Sequence, residues 1–385
     1  MGRLRSVAAV GSVLIAVSFT VAGASGSVTA AAKSASTAAA PLPAGGPVPA
    51  HSSATSITFV STQTAYVLGT APCTHRPCTE ILRTRNRGAS WVGLSAPGER
   101  VSPPNGNGLW GLRFATARHG FAFGSGLWET TNGAASWRRA TPPARFVVDL
   151  AITRAGEVVA LAAPCQFSSA GSPCRLTLYR RGVGGGNWQT IVATNGSAFD
   201  ESIAVHGRTV WVLAGTQLWI STDGGRSFRS HGQPCAKRPN RLPGLTSLAD
   251  AGAHSYLLCT GQAALGHTVK FVYATSGTRS SWTLRSKPPT PGDAGSLAAG
   301  SDQAIVIATA SAASWLYLSR DGGRHWSTPL TFLDGGEGWS DLGFTTASDG
   351  VVIHGPARTD GGSVNFPGQV ELTSDAGRTW HTSTL

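Results

Sequence analysis

Long apolar runs are almost absent from this chain of 385 residues. After residue 24 no stretch approaches the ~20 residues that a membrane-spanning helix needs, so no membrane span is expected beyond the N-terminus. No segment sustains a 3.6-residue apolar period either, which argues against a helical core. Charged residues make up only 13% and form no basic run, so no nucleic-acid partner is expected. C-x-x-C does not occur, and no two histidines stand at ligand spacing; no metal and no cofactor are therefore expected. G-x-S-x-G, S-x-x-K, H-E-x-x-H and the P-loop are also missing, which removes the catalytic classes that announce themselves in linear sequence.

What is present begins with a targeting segment. Arg3 and Arg5 precede an apolar run from Val7 to Ala22, and Ala22-Gly23-Ala24 offers small residues for cleavage. Residues 1–24 read as a signal peptide, with an uncleaved anchor as the alternative. Residues 25–50 are Ala, Ser, Thr, Pro and Gly with a single Lys. Such a composition cannot bury apolar surface and predicts a flexible linker. The formal charge of +12 favours anionic partners, such as cell-wall polymers or lipid head groups.

Six cysteines fall into local pairs: Cys73 with Cys78, Cys165 with Cys174, and Cys235 with Cys259. An even count in an exported chain predicts three disulfides.

One motif organises residues 51–385. It reads Ser/Thr, any, Asp/Asn, any, Gly, any, Ser/Thr/His, Trp/Phe. Clean copies carry Asp223, Asp321 and Asp375; Asn forms carry Asn86 and Asn132, the second with Ala134 in place of glycine. Two eroded copies end at Trp188 and Trp282. The closing aromatics Trp91, Trp137, Trp188, Phe228, Trp282, Trp326 and Trp380 stand 40 to 54 residues apart. That period fits one four-stranded blade with its loops and predicts an all-β, seven-bladed β-propeller as a single domain. The Asp or Asn accepts backbone N–H bonds in a tight turn, and the Gly supplies a positive φ. The motif thus stabilises the hairpin between the third and fourth strands of a blade.

This motif resembles the Asp box, or bacterial neuraminidase repeat, found in sialidases, xyloglucan-degrading enzymes, sortilin-type receptors and the photosystem II assembly factor propeller. The resemblance implies the fold strongly and the activity weakly, because these families share the hairpin and differ in the site. A site similar to that of the sialidases would need an arginine introduced by Arg-Ile-Pro ahead of the first motif, and residues 41–83 contain none. It would also need a Tyr–Glu nucleophile pair, whereas all five tyrosines lie in strand-like runs.

Candidate site residues follow from where propeller loops lie. Blade-linking loops and second-to-third-strand loops share the face opposite the recurrent turns, and the three cysteine pairs fall there. Arg100, Arg145, Asp149, Glu201, Arg241, Glu337 and Asp341 are placed on these loops. Trp110 and Trp339 are placed just before the first strands of their blades. If the protein is an enzyme, Glu201, Asp341 and Asp149 are the candidate carboxylates of a glycoside hydrolase. If it only binds, Trp110, Trp339, Arg100, Arg145, Arg241 and Glu337 are the candidate contacts to a carbohydrate or protein at the cell envelope. For any single one of these residues, blade packing or a solvated loop charge is the simpler explanation. The expected product is a secreted or cell-surface monomer that binds and does not hydrolyse sialosides.

Alkylation without prior reduction is expected to label no cysteine in the exported protein. Mass spectrometry that finds Cys73 or Cys165 alkylated would overturn the pairing.

Overall fold

Every blade of this propeller is built from four consecutive strands, and the ring closes without exchanging one. The computed structural model describes residues 40–74, 77–104, 106–165, 174–196, 202–214, 217–235, 247–277, 281–355 and 368–385. The expected signal peptide and most of the expected linker lie outside them. Leu42–Leu385 forms one unit. Its seven antiparallel sheets run β1(Ser53–Phe59) to β4(Val92–Leu94), β5(Leu109–Phe114) to β8(Arg138–Ala140), and β9(Phe146–Ile152) to β12(Gly185–Gly196). They continue with β13(Ser202–His206) to β16(Arg229–His231), β17(Ser247–Asp250) to β20(Thr283–Ser286), β21(Asp293–Ala299) to β24(Ser327–Phe332), and β25(Trp339–Phe344) to β28(His381–Ser383).

The second strand of each blade shows why the chain folds this way. A blade has a neighbour on both faces, so its middle strands are apolar on both sides. Tyr66-Val67-Leu68, Phe121-Ala122-Phe123, Val210-Trp211-Val212-Leu213 and Val306-Ile307-Ala308 are each almost wholly buried. The core is correspondingly divided. Among the described residues seven apolar clusters form, one at each blade–blade interface, and none of these occupies the axis. At the closing interface Ile57, Val67 and Leu82 of blade 1 meet Val351, Ile353 and Leu372 of blade 7. Trp91 donates its indole N–H to Ser383 Oγ at 2.9 Å, and Ser383 donates to Gly88 O at 2.6 Å. Strand β28 thus completes blade 7 and ties it to the turn of blade 1.

Among the described residues the recurrent turns join third and fourth strands in five blades; residues 278–280 of the eroded fifth copy lie outside them. In blade 7, Gly377 N donates to Thr373 Oγ1 at 3.0 Å, while Arg378 N and Thr379 N both donate to Asp375 Oδ1 at 3.0 Å. Burial pushes the Asp375 carboxyl up, but these bonds outweigh it and hold the group at about 2. Asn86, Asn132, Asp223 and Asp321 accept equivalent bonds. The eroded third copy is replaced by a tight connection in which Gly182 pairs with Gly185.

Residues 42–50 depart from the flexible linker that their composition predicts. Gly46 exchanges two backbone bonds with Gly93, at 2.8 and 2.9 Å, and so covers the outer edge of β4. Arg83, almost fully buried, donates from Nη2 to Pro43 O at 2.7 Å and Ala44 O at 3.2 Å. A buried guanidinium needs acceptors, and this strap supplies them without needing apolar side chains. Of the three disulfides, Cys73–Cys78 and Cys165–Cys174 close second-to-third-strand hairpins. Cys235–Cys259 ties the loop after β16 to β18(His254–Ala264).

The turn of blade 2 forces a side chain into left-handed backbone: Ala134 has φ 64° and is fully buried. Replacement by glycine relieves that strain, so Ala134→Gly is expected to stabilise the protein by about 1 kcal/mol. Chemical denaturation would show this as a raised midpoint with unchanged slope; a lowered midpoint would contradict the strain.

Candidate functional site

A second repeat, unnoticed in the sequence, lines the axis. Each inner strand carries a small or acidic residue followed by an aliphatic one. The pairs are Ser56-Ile57, Gly111-Leu112, Asp149-Leu150, Ser202-Ile203, Ser247-Leu248, Ser296-Leu297 and Asp341-Leu342. An inner strand has no partner on its axial side, so its N–H groups need acceptors from elsewhere. The neighbouring blade provides them. Leu112 N donates to Ser56 Oγ at 3.0 Å, Ile203 N to Asp149 Oδ2 at 2.9 Å, and Leu297 N to Ser247 Oγ at 3.0 Å. Ile57 N donates to Asp341 Oδ2 at 2.7 Å across the closing interface.

These four interfaces are pegged; the Ser202 and Ser296 hydroxyls find no partner among the described residues, and in blade 2 Gly111 has no side chain to offer. There Leu150 N turns to Asp149 Oδ1 of its own blade at 2.8 Å, and Arg113 spans the axis instead. Its Nη2 stands 3.4 Å from Asp341 Oδ1 and 3.9 Å from Asp149 Oδ1. Its Nη1 donates to Leu112 O at 2.8 Å, and Ser56 Oγ donates to Asp341 Oδ2 at 2.5 Å. Burial lowers the affinity of Arg113 for its proton, but Asp341 and Asp149 more than restore it. Burial raises the pKa of Asp149, with Asp341 adding to the rise and Arg113 and the two N–H donors opposing it.

Asp149 and Asp341 therefore lie within strands β9 and β25, not on the blade-linking loops where the sequence places them. The structure brings them together, but around a guanidinium. A hydrolytic pair needs an open gap for substrate and water between the carboxyls. Here Arg113 fills the gap, and backbone N–H groups occupy the carboxylate oxygens.

Beside this ring lies a cavity of ≈ 450 Å³. Its walls are the C-terminal halves of inner strands: Thr58 and Phe59, Phe114, Ile152, Ile203 and Val205, and Leu342 to Thr345, with Arg113 and Asp341 at the ring. Inner strands run from the blade-linking loops toward the first-to-second-strand hairpins. The cavity consequently lies toward the side that carries the recurrent turns, away from the long loops.

The other expected contacts do not line it. Trp110 donates its indole N–H to Val148 O at 3.4 Å and Trp339 to Thr309 O at 3.0 Å; both lie within first strands and serve blade packing. The Trp339 ring also stands 4.9 Å from that of His354. Arg100 donates to Asn107 O at 2.7 Å inside its own loop, and the Arg145 guanidinium sits 5.1 Å from the Phe146 ring. Glu337 is half-buried in the loop between blades 6 and 7. Glu201 and Arg241 lie outside the described residues.

A Ser–Asp–His group near that loop is not a catalytic triad. Ser314 Oγ and His354 Nε2 both bond Asp334 Oδ2, each at 2.6 Å, so the hydroxyl has no path to the imidazole. Among the described residues no three His, Cys, Asp or Glu side chains are placed to hold a metal, and no helix is long and apolar enough to cross a membrane.

No protein-family profile matches the chain, and no curated protein matches it. Solved structures do. YCF48 from Cyanidioschyzon merolae superposes with a TM-score of 0.55 at 16% identity, covering 86% of this chain and 97% of that one. YCF48 bound to D1 peptide gives 0.52 at 15%, covering 85% and 95%. The propeller domain of the Trilobed protease from Pyrococcus furiosus, described as having an open velcro topology, gives 0.50 at 9%, covering 87% and 98%. At these identities the likeness shows the propeller fold alone.

Removing Asp341 leaves Ile57 N and Arg113 short of an acceptor at the closing interface. Asp341→Ala is expected to cost about 3 kcal/mol, and Asp341→Asn, which keeps an acceptor oxygen, clearly less. Equal losses in urea denaturation would contradict the pegging role.

Proposed function

We propose that this chain is an exported, non-catalytic propeller of the Asp-box kind that holds a segment of a partner protein in its channel. The observation that carries the reading is the state of the axial carboxylates. Asp149 and Asp341 share the single guanidinium of Arg113 and are committed to backbone donors across blade interfaces, so they serve to hold the ring. What remains open is a cavity whose exposed lining is more polar than apolar, with Thr58, Thr345, Arg113 and Asp341 set among aliphatic and aromatic side chains. Such a mixture suits an extended peptide whose side chains enter apolar recesses while polar groups fix its position. A structural neighbour binds a peptide, which is compatible with this use of the fold. Three disulfides fit an oxidising, extracytoplasmic setting, where the partner would be a cell-envelope protein.

Gly343 offers a clean test, because it lines the cavity and a Cβ built there meets nothing within 4 Å. Gly343→Trp should fill the cavity with little change in melting temperature. The purified protein is to be applied to arrays of envelope-protein peptides and, separately, to envelope polysaccharides and a fluorogenic sialoside. Peptide retention that falls at least tenfold in Gly343→Trp is expected. Sialoside turnover, or retention of polysaccharide alone, would defeat the proposal.

A further inference from the structure

Two residues beyond the axial ring, each inner strand contributes to a second ring, and the two rings differ in chemistry. In the first, every position that faces the following blade carries Ser or Asp except Gly111, so each can offer an acceptor oxygen. In the second, the corresponding residues are Thr58, Arg113, Ala151, Ala204, Ala249, Ala298 and Gly343. Thr58 keeps the pegging role, since its Oγ1 accepts from Phe114 N at 3.4 Å. The others cannot take it. Alanine and glycine have no polar side-chain atom, and a guanidinium only donates.

The directions of side chains and backbone are the same in both rings. Leu150 and Ile152 pack into the interface of blades 2 and 3, which turns Ala151 toward blade 4. Leu342 and Phe344 pack toward blade 6, which turns Gly343 toward blade 1. Val60 N donates to Thr64 O, Thr153 N to Glu157 O and Thr345 N to Asp349 O, each toward the second strand of its blade. The residue before each of these therefore presents its N–H and C=O to the opposite, axial edge. Those residues are Phe59, Ile152 and Phe344, and Val205 stands likewise two residues beyond Ile203, whose N–H is bonded to Asp149. All four line the cavity of ≈ 450 Å³. Each brings to it an N–H for which the second-ring residue of the preceding blade has no acceptor.

We infer that this second ring reads the main chain of the bound segment. An extended peptide along the axis accepts with its carbonyls from the amides of Phe59, Val205 and Phe344 and donates to their carbonyls. The inference rests on the peptide reading above and narrows it to segments held through backbone bonds, with little fixed side-chain sequence. One edge of a peptide backbone offers a donor and an acceptor together, as each of these residues does. The small second-ring residues leave room for it, and a Cβ on Gly343 would meet nothing within 4 Å.

The first test needs no ligand. In amide hydrogen exchange on the full chain, Phe59 and Val205 should exchange at least tenfold faster than Ile57 and Ile203, their pegged neighbours on the same strands. Ala151→Ser sets a hydroxyl toward Val205 and should slow that amide. Equal protection of the two rings in the unmodified protein would overturn the inference. The second test uses fluorescent octapeptides of mixed Ala, Ser, Thr and Val, capped at both ends, and the same peptides methylated at alternate backbone nitrogens. Anisotropy should show binding to the full chain that weakens at least tenfold on methylation and about fivefold in Ala151→Ser. Ala249→Ser, away from the cavity walls, should leave it unchanged. Bound octapeptide should slow exchange at Phe59, Val205 and Phe344. Binding that ignores methylation and leaves those amides unprotected would overturn the inference and leave the peptide reading standing. So would failure of both octapeptide sets alongside retention of envelope-protein peptides on the array. Failure of every peptide would remove both.

Discussion

The structure depends on a problem at the axis. Seven inner strands turn one edge toward the axis, where no further strand pairs with them, and their N–H groups must find acceptors across blade boundaries. Ser56, Asp149, Ser247 and Asp341 supply them from the preceding blade. Where Gly111 cannot, Arg113 joins Asp341 to Asp149 and links blades 7, 2 and 3. The same bonds close the ring at its first and last blades, which share no strand.

This solution constrains function. A carboxylate that pegs a neighbouring blade is unavailable as an acid or base, and a guanidinium between two carboxylates removes the space where substrate would sit. Polar chemistry at the axis is thereby turned to construction, beside a cavity of ≈ 450 Å³. The side is also set by topology. Inner strands all run the same way, so their C-terminal halves, which wall the cavity, lie on the side of the recurrent turns. The disulfide-pinned loops lie on the other.

The propeller was legible because its signals are local. A turn that needs Asp or Asn at one place and Gly two residues later writes itself into the chain, and seven aromatic closures at blade spacing count the blades. Even the eroded third copy kept Trp188 to mark its blade after its turn chemistry had gone. The cysteine pairs were legible for the same reason, since two of them close short hairpins. The site was less so. Asp149 and Asp341 stood out as carboxylates in the right region, but their meaning reversed once Arg113 appeared between them. Trp110 and Trp339 looked like sugar platforms until their indole N–H groups proved to be bonded to adjacent blades. The strap at residues 42–50 was missed because its contacts are made by backbone carbonyls, which any composition provides.

By itself the sequence determined the class of fold, the number of blades, the turn chemistry and the cysteine pairing, because each rests on residues close together in the chain. Only the tertiary structure decided which groups meet at the axis. Ser56 and Asp341 are neighbours although most of the chain lies between them, and no local pattern encodes a contact made by closing a ring.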